Sequence, residues 1–230
     1  MRAKAGRAMQ DRWTAVDDYF SALLGSQSDK LDEVLTASAA SGLPPINVAP
    51  NQGKLLQLFV RMQGAKSVLE VGTLGGYSTI WMAGGLPTGG RIVTLEADPD
   101  HARVARANIE RAGLAGVVDV RQGVALDLLP VLETESVVPF DFVFIDADKQ
   151  HNAEYFQWAL KLTRPGSVIM VDNVVRDGHV IDADSTDPSV IGVRRFTEML
   201  ANESRVSATA LQTVGSKGYD GFVLAVVTGR

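Results

Sequence analysis

The sequence predicts an α/β protein: a doubly wound, mostly parallel seven-stranded sheet with an antiparallel hairpin at its carboxyl end and a helical cap at its amino end. Three observations lead there. From Ser67 onward, short apolar runs alternate with helical stretches, the pattern of a parallel sheet with helices on both faces. Two of the runs, FDFVFID (140–146) and SVIMVDN (167–173), stop at acidic and amide side chains, as buried parallel strands do where open sheets hold ligands. The last two runs, VSATALQTV and GFVLAVV, flank a short SKGYD segment with Gly215 and Gly218, which suits a hairpin at the sheet edge.

Taken in order, residues 11–24 carry Trp13, Val16, Tyr19, Phe20, Leu23 and Leu24 at near-helical spacing, and Gly25 ends that pattern. Asp29 can cap a second helix that Gly42 terminates, and Pro44 and Pro45 begin an extended connection. Asn51 can cap a third helix with Leu55, Leu58, Phe59 and Met62 on one face. Residues 1–65 are therefore expected to form a helical cap within the same domain as 66–230. Strands follow at 67–72, 91–98 and 117–123, with a crossover helix beginning at STIWMAGGL. Another helix opens at Pro99, capped by Asp98 and ended by Gly113. Strand 140–146, helix HNAEYFQWALKL, strand 167–173, a polar loop at 175–190 and a helix at 190–202 precede the hairpin. The architecture is Rossmann-like.

Composition narrows the function. A chain of 230 residues with 46% hydrophobic and 21% charged residues can bury one sizeable α/β core. A net charge of −5 without a basic patch disfavours nucleic acid. No apolar stretch approaches the roughly 20 residues of a membrane span, and the absence of cysteine removes disulfides and thiolate metal sites. A cytoplasmic protein is expected.

The acidic strand ends carry the chemistry. Neighbouring strands lie about 4.8 Å apart, so Asp146 can meet Asp172 and Asn173 around one hard cation. Two carboxylates and an amide, with positions open to water or substrate, suit Mg²⁺, with Mn²⁺ or Ca²⁺ as alternatives. Lys149 would sit beside that ion as a movable proton acceptor. The bland reading is that each strand-end Asp merely caps the next helix; two such clusters on successive strands favour a site.

The first strand runs into EVGTLGGYS, whose glycines let the backbone approach a ligand, and Glu96 stands 20 residues after Gly76, where an acid accepts hydrogen bonds from ribose. The spacing differs from the dinucleotide fingerprint, and Glu70 would repel a pyrophosphate at the helix terminus. Glu70, Glu96, Asp146, Asp148 and Asp172 line the crevice with negative charge, which attracts an ammonium or a sulfonium. S-adenosylmethionine (SAM) fits that lining.

VLEVGTLGGYST, the acid of VTLEADP, FVFIDADK and VDNV, in that order and spacing, closely resemble the cation-dependent O-methyltransferases. That family includes the caffeoyl-CoA enzymes, their bacterial relatives and, more distantly, catechol O-methyltransferase. The similarity runs from about Pro44 to the carboxyl terminus. The resemblance implies metal ligation by Asp146, Asp172 and Asn173. It implies SAM contacts from Glu70, Gly72, Gly76, Ser78, Glu96, Asp146 and Asp148, backbone contacts at Val48 and Ala125, and a catalytic pair of Lys149 and Asp146. It also implies a homodimer acting on a small aromatic with adjacent hydroxyls. Two departures stand out: Asn51-Gln52-Gly53-Lys54 occupies a segment that often reads Asp-Glu-Gly-Gln, and Asp177 replaces a substrate-contacting Asn of the plant enzymes. Both argue against a plant CoA-ester substrate.

The rival readings are an NAD-dependent dehydrogenase, opposed by Glu70, and a non-catalytic SAM-binding module, opposed by the complete set of metal ligands. His101, His151 and His179 read as solvated surface, and Trp81, Trp158 and Tyr155 as core. Ser78 reads as a helix cap that touches the cofactor, and Asp182, Asp184 and Asp187 as a mobile loop over the site.

Overall fold

Ser67–Val71 (β1) is buried along its whole length, so it must be covered on both faces, and it lies in the interior of the sheet. It pairs in parallel with Arg91–Glu96 (β2) on one side and Phe140–Ile145 (β4) on the other. Val118–Gln122 (β3) extends the sheet beyond β2, and Thr163–Asp172 (β5) extends it beyond β4. Gly218–Val227 (β7) runs antiparallel to β5, and Val206–Gly215 (β6) closes that edge. The order β3-β2-β1-β4-β5-β7-β6 is the seven-stranded, mostly parallel α/β architecture that the sequence predicts. Winding reverses between β1 and β4, which opens a crevice at their carboxyl ends. The computed structural model describes residues 2–25, 28–135 and 139–229.

Alternate residues of each central strand feed opposite apolar layers, as a two-residue period demands. Leu69, Val71, Val143, Ile145 and Ile169 join one layer, covered by Ala125–Glu133 (α6), Asn152–Lys161 (α7) and Pro188–Ala201 (α8). Val68, Phe142, Phe144 and Met170 join the other. That layer is covered by Asp29–Ala40 (α2), Pro50–Gln63 (α3), Tyr77–Ala83 (α4) and Pro99–Arg111 (α5). Phe142 and Phe144 are fully buried, each contributing about 1.5–3 kcal/mol by removal from water.

Several boundaries differ from expectation. The first helix, α1, spans Arg2–Leu24 rather than starting at residue 11. Ser28, not Asp29, caps α2, its hydroxyl accepting from the Leu31 amide at 3.4 Å. Asn51 does not cap α3, because it lies inside a helix that begins at Pro50; Ala49 holds the cap position and offers no side-chain cap, and Pro at the first position lacks one of the amides that would otherwise go unpaired. β1 and β2 end at Val71 and Glu96, and β5 starts four residues early at Thr163. Helix α6 was not expected, because Pro130 lies inside it and its apolar residues show little period. Within 175–190, Arg176–Ile181 forms 3-10 turns, and Asp187 caps α8 by accepting from the Ser189 amide at 2.7 Å.

The apolar stripe of α1 faces outward, and that of α3 is split, with Leu55 and Phe59 packed partly against the core. Val16, Tyr19, Phe20, Leu23 and Leu24 are exposed, Leu24 by 66%, as are Leu58 and Met62. The residues α3 buries are Gly53, Leu56 and Val60.

Candidate active site

Gly72 lets the end of β1 pass close against the turn that leaves β4. Its φ is +99°, and a Cβ there would lie 2.3 Å from the Asp146 carbonyl oxygen, so no other side chain fits. The Asp146 amide donates to the Val71 carbonyl at 2.8 Å, which locks the two strand ends together. Glu70, two residues earlier on β1, is fully buried. It accepts from Ser78 Oγ and Thr94 Oγ1, each at 2.6 Å, and from Thr79 Oγ1. Because Thr94 spends its proton on Glu70, Thr73 must donate to Thr94, at 2.6 Å. Burial pushes the Glu70 carboxyl up to about 7, against the three hydroxyl hydrogen bonds and with a small push from Asp146. Glu96, buried at the end of β2, accepts from the amides of Thr73 at 3.2 Å, Leu74 at 2.7 Å and Asp98 at 3.0 Å. It therefore shapes the glycine loop as well as presenting a carboxylate. The loop opens α4 at Gly76 without a side-chain cap, so Ser78 is not the cap expected; its hydroxyl is committed to Glu70.

At the ends of β4 and β5 a second group gathers. Buried Lys149 donates to Asp146 Oδ1 at 2.7 Å. Asp172 is 3% exposed, and burial and the Asp146 charge push its carboxyl up to about 7 against the opposing pull of Lys149. Gln52 Nε2 donates to Asp172 Oδ2 at 2.6 Å. Asn173 follows with φ +56°, a left-handed backbone that Asn tolerates and that ends the strand alternation at the acid. The turn beyond is pinned by Asp220 on β7, whose Oδ1 accepts from the amides of Val175 at 2.9 Å and Arg176 at 3.0 Å. Asp148 accepts from Tyr155 Oη at 2.5 Å and pairs with His151 Nδ1. Burial raises its pKa, but those two partners outweigh it and hold the carboxyl below its ordinary range.

The model of the family described as O-methyltransferase matches residues 21–226. The catechol O-methyltransferase of Niastella koreensis is 55% identical, the alignment covering 93% of this chain and 96% of that protein. That of Mycobacterium tuberculosis is 50% identical, with coverages of 92% and 94%. This chain belongs to the O-methyltransferase family. Among solved structures, the O-methyltransferase from Bacillus cereus in complex with SAH superposes with a TM-score of 0.94 at 62% identity, covering 95% of this chain and all of that one. TomG from Streptomyces achromogenes, in complex with SAM, gives 0.92 at 51% identity, with coverages of 96% and 99%.

In this O-methyltransferase, the residues expected at the site lie on four strand ends and their turns. Glu70, Gly72, Glu96, Asp146 and Asp172 stand at or just beyond the carboxyl ends of β1, β2, β4 and β5. Gly76 and Ser78 open α4, and Asp148 and Lys149 sit at a 3-10 turn before α7. Val48 is buried in the layer of α3 and α4, whereas Ala125 opens α6 in the opposite layer. Tyr155 is core, as expected, but also supports Asp148 through its hydroxyl; Trp81 is buried, and Trp158 is only partly buried under Lys161. His179 pairs with Asp182 at 2.8 Å on the surface, and His101 lies 3.7 Å from Glu96. Sequence reasoning marked Gln52 only as a departure and gave no site role to it, Thr79, Thr94 or Asp220; the YDG triplet of the last hairpin was the available hint for Asp220.

Among the described residues no three His, Asp or Glu side chains gather into a metal-binding group. A cation here would rest on two carboxylates and neutral oxygens, the donor set of a hard ion that keeps part of its water. Two acids close enough for one to raise the other are relieved by positive charge, and that fits a cation. No described helix is long and apolar enough to cross a membrane.

Proposed function

We propose that this O-methyltransferase moves the methyl group of SAM to one hydroxyl of a small vicinal dihydroxy aromatic, with a divalent cation held by Asp146, Asp172 and Asn173. The observation that carries this reading is the Asp146, Lys149 and Asp172 cluster at adjoining strand ends, beside a glycine loop lined by Glu70 and Glu96. Family membership removes the dehydrogenase reading; the catechol enzymes among the relatives support the acceptor class.

Glu96 accepts from the ribose hydroxyls, and Glu70 serves the SAM site from beneath the loop, where its bonds to Ser78 and Thr79 hold the start of α4 in place. Gly72 and Gly76 let the backbone close on the cofactor, Ser78 and Asp148 touch it at the helix and turn ends, and Val48 and Ala125 contribute backbone groups. A cation bound at the strand ends would chelate both acceptor oxygens and lower the pKa of one. Asp146 and Asp172 hold the charge that orients the acceptor, and Lys149, held against Asp146, accepts the departing proton when its amine is in the neutral form. Residues 1–65 act as a cap continuous with the 66–230 methyltransferase unit. The exposed apolar stripe of α1, with Tyr19 61% exposed, supports a homodimer, testable by sedimentation of the wild type and a Phe20→Glu variant.

Chelation requires a vicinal diphenol to outperform a monophenol of the same skeleton, in kcat as well as KM. Caffeic acid and para-coumaric acid, each at saturating SAM and Mg²⁺, provide the comparison, with a chelator control that abolishes turnover. Equal kcat/KM for the pair would remove chelation from the mechanism.

A further inference from the structure

Three successive residues at the start of α3 each make a contact of a different kind. Asn51 Nδ2 donates to the Asp17 carbonyl at 3.3 Å and its carboxylate at 3.2 Å, while Asn51 Oδ1 accepts from Ser21 Oγ at 3.1 Å. Asn51 is thus satisfied by α1. Gly53 lies on the Trp81 indole so closely that a Cβ would sit 2.3 Å from its Cδ1, which sets the depth of α3 against α4. Between them, Gln52 reaches across 120 residues of sequence to Asp172 Oδ2 at 2.6 Å. Each amide faces a carboxylate. An acid at position 51 would confront Asp17 and an acid at 52 would confront Asp172, so the departure from Asp-Glu at these positions is matched to what they touch.

We propose that Gln52 is a positioning residue for the cation: its amide holds the Asp172 carboxylate in one orientation by Oδ2 and leaves Oδ1 to face the ion. An ionised carboxylate only accepts hydrogen bonds, so the amide nitrogen, not the oxygen, must point at it. Asp172 is almost wholly removed from water, and Gln52 is the side-chain donor that reaches it from outside its own strand. Partners of this kind keep a ligand's geometry fixed, and losing one weakens metal affinity by roughly 10- to 100-fold. The contact also joins the amino-terminal cap to the cation site, because α3 is clamped on one side by Asp17 and on the other by Trp81. This inference rests on the cation reading given above.

The test uses the full chain without SAM or acceptor, with Mn²⁺ as probe followed by electron paramagnetic resonance. Gln52→Leu removes the donor at similar size, and Gln52→Asn keeps an amide too short to reach, so the second variant carries the test if the first does not fold. Each should raise the Mn²⁺ dissociation constant at least tenfold while SAM affinity, measured by calorimetry, stays within twofold of wild type. Unchanged Mn²⁺ affinity in a folded variant overturns the proposal. Equal losses of Mn²⁺ and SAM affinity also overturn it, since they mark a general loosening of α3. Wild-type protein that binds no Mn²⁺ overturns the cation reading itself, an outcome separate from the other two.

Discussion

Glu70→Gln should change how the stability of this enzyme depends on pH. In the wild type, one carboxylate oxygen accepts from Ser78 and the other from Thr79 and Thr94. A Gln amide can keep its carbonyl toward the two threonines and donate its NH₂ to the Ser78 oxygen, so the substitution removes the charge; the Ser78 proton and the second amide hydrogen lose their acceptor, a cost that is the same at every pH. Burial moves the carboxyl from its ordinary 4.5 to about 7. At about 1.4 kcal/mol per pH unit, that is about 3 kcal/mol. The native state keeps a proton that the unfolded chain has released between those two values, so wild-type stability falls as pH rises from 4.5 to 7 and is flat for this group outside that window. The Gln variant has no such slope. Urea unfolding of both proteins from pH 4.5 to 8 isolates the difference, because every other titrating group is common to the pair. The variant should gain about 3 kcal/mol relative to wild type across the window. Parallel stability curves would refute the argument, and would mean that Glu70 is charged in the folded protein throughout.

Three further substitutions separate binding from chemistry. Glu96→Ala leaves the Thr73 and Leu74 amides without their acceptor. It should weaken SAM binding by roughly 1.5–3 kcal/mol in calorimetry and lower stability by about 1–3 kcal/mol; unchanged SAM affinity would remove the ribose role. Lys149→Met should retain SAM affinity and lose on the order of 10² to 10⁴ in kcat, the usual range for a general base; near-normal turnover at neutral pH would leave Lys149 an electrostatic bystander. A Cβ on Gly192 of α8 would meet the Lys149 carbonyl oxygen at 2.3 Å, so Gly192→Ala must push α8 from the Lys149 turn. Its stability should fall by about 1–3 kcal/mol through overpacking, and kcat should fall with SAM affinity held; a fully active variant would show that the turn does not position Lys149.

Strand-to-helix alternation, the glycine loop and the acids at the ends of β4 and β5 were legible in the residues alone. Each depends on a local rule: a two-residue or 3.6-residue period, a backbone that only Gly permits, or an apolar run that must stop where water begins. Where a local rule had competitors, the tertiary structure decided. Asp29 and Ser28 are both good caps, and the choice fell to the residue whose hydroxyl meets the Leu31 amide. The stripes of α1 and α3 are apolar by sequence, yet the faces that pack are set by where the sheet lies, leaving Tyr19 and Met62 outside. Glu70 looks like a lining charge in sequence; only the convergence of Ser78, Thr79 and Thr94 from two other elements makes it a buried group near neutrality. Gln52 and Asp172 carry no pattern that pairs them. Contacts across 120 residues depend on how whole helices dock, and periodicity, which describes one segment at a time, holds no information about that.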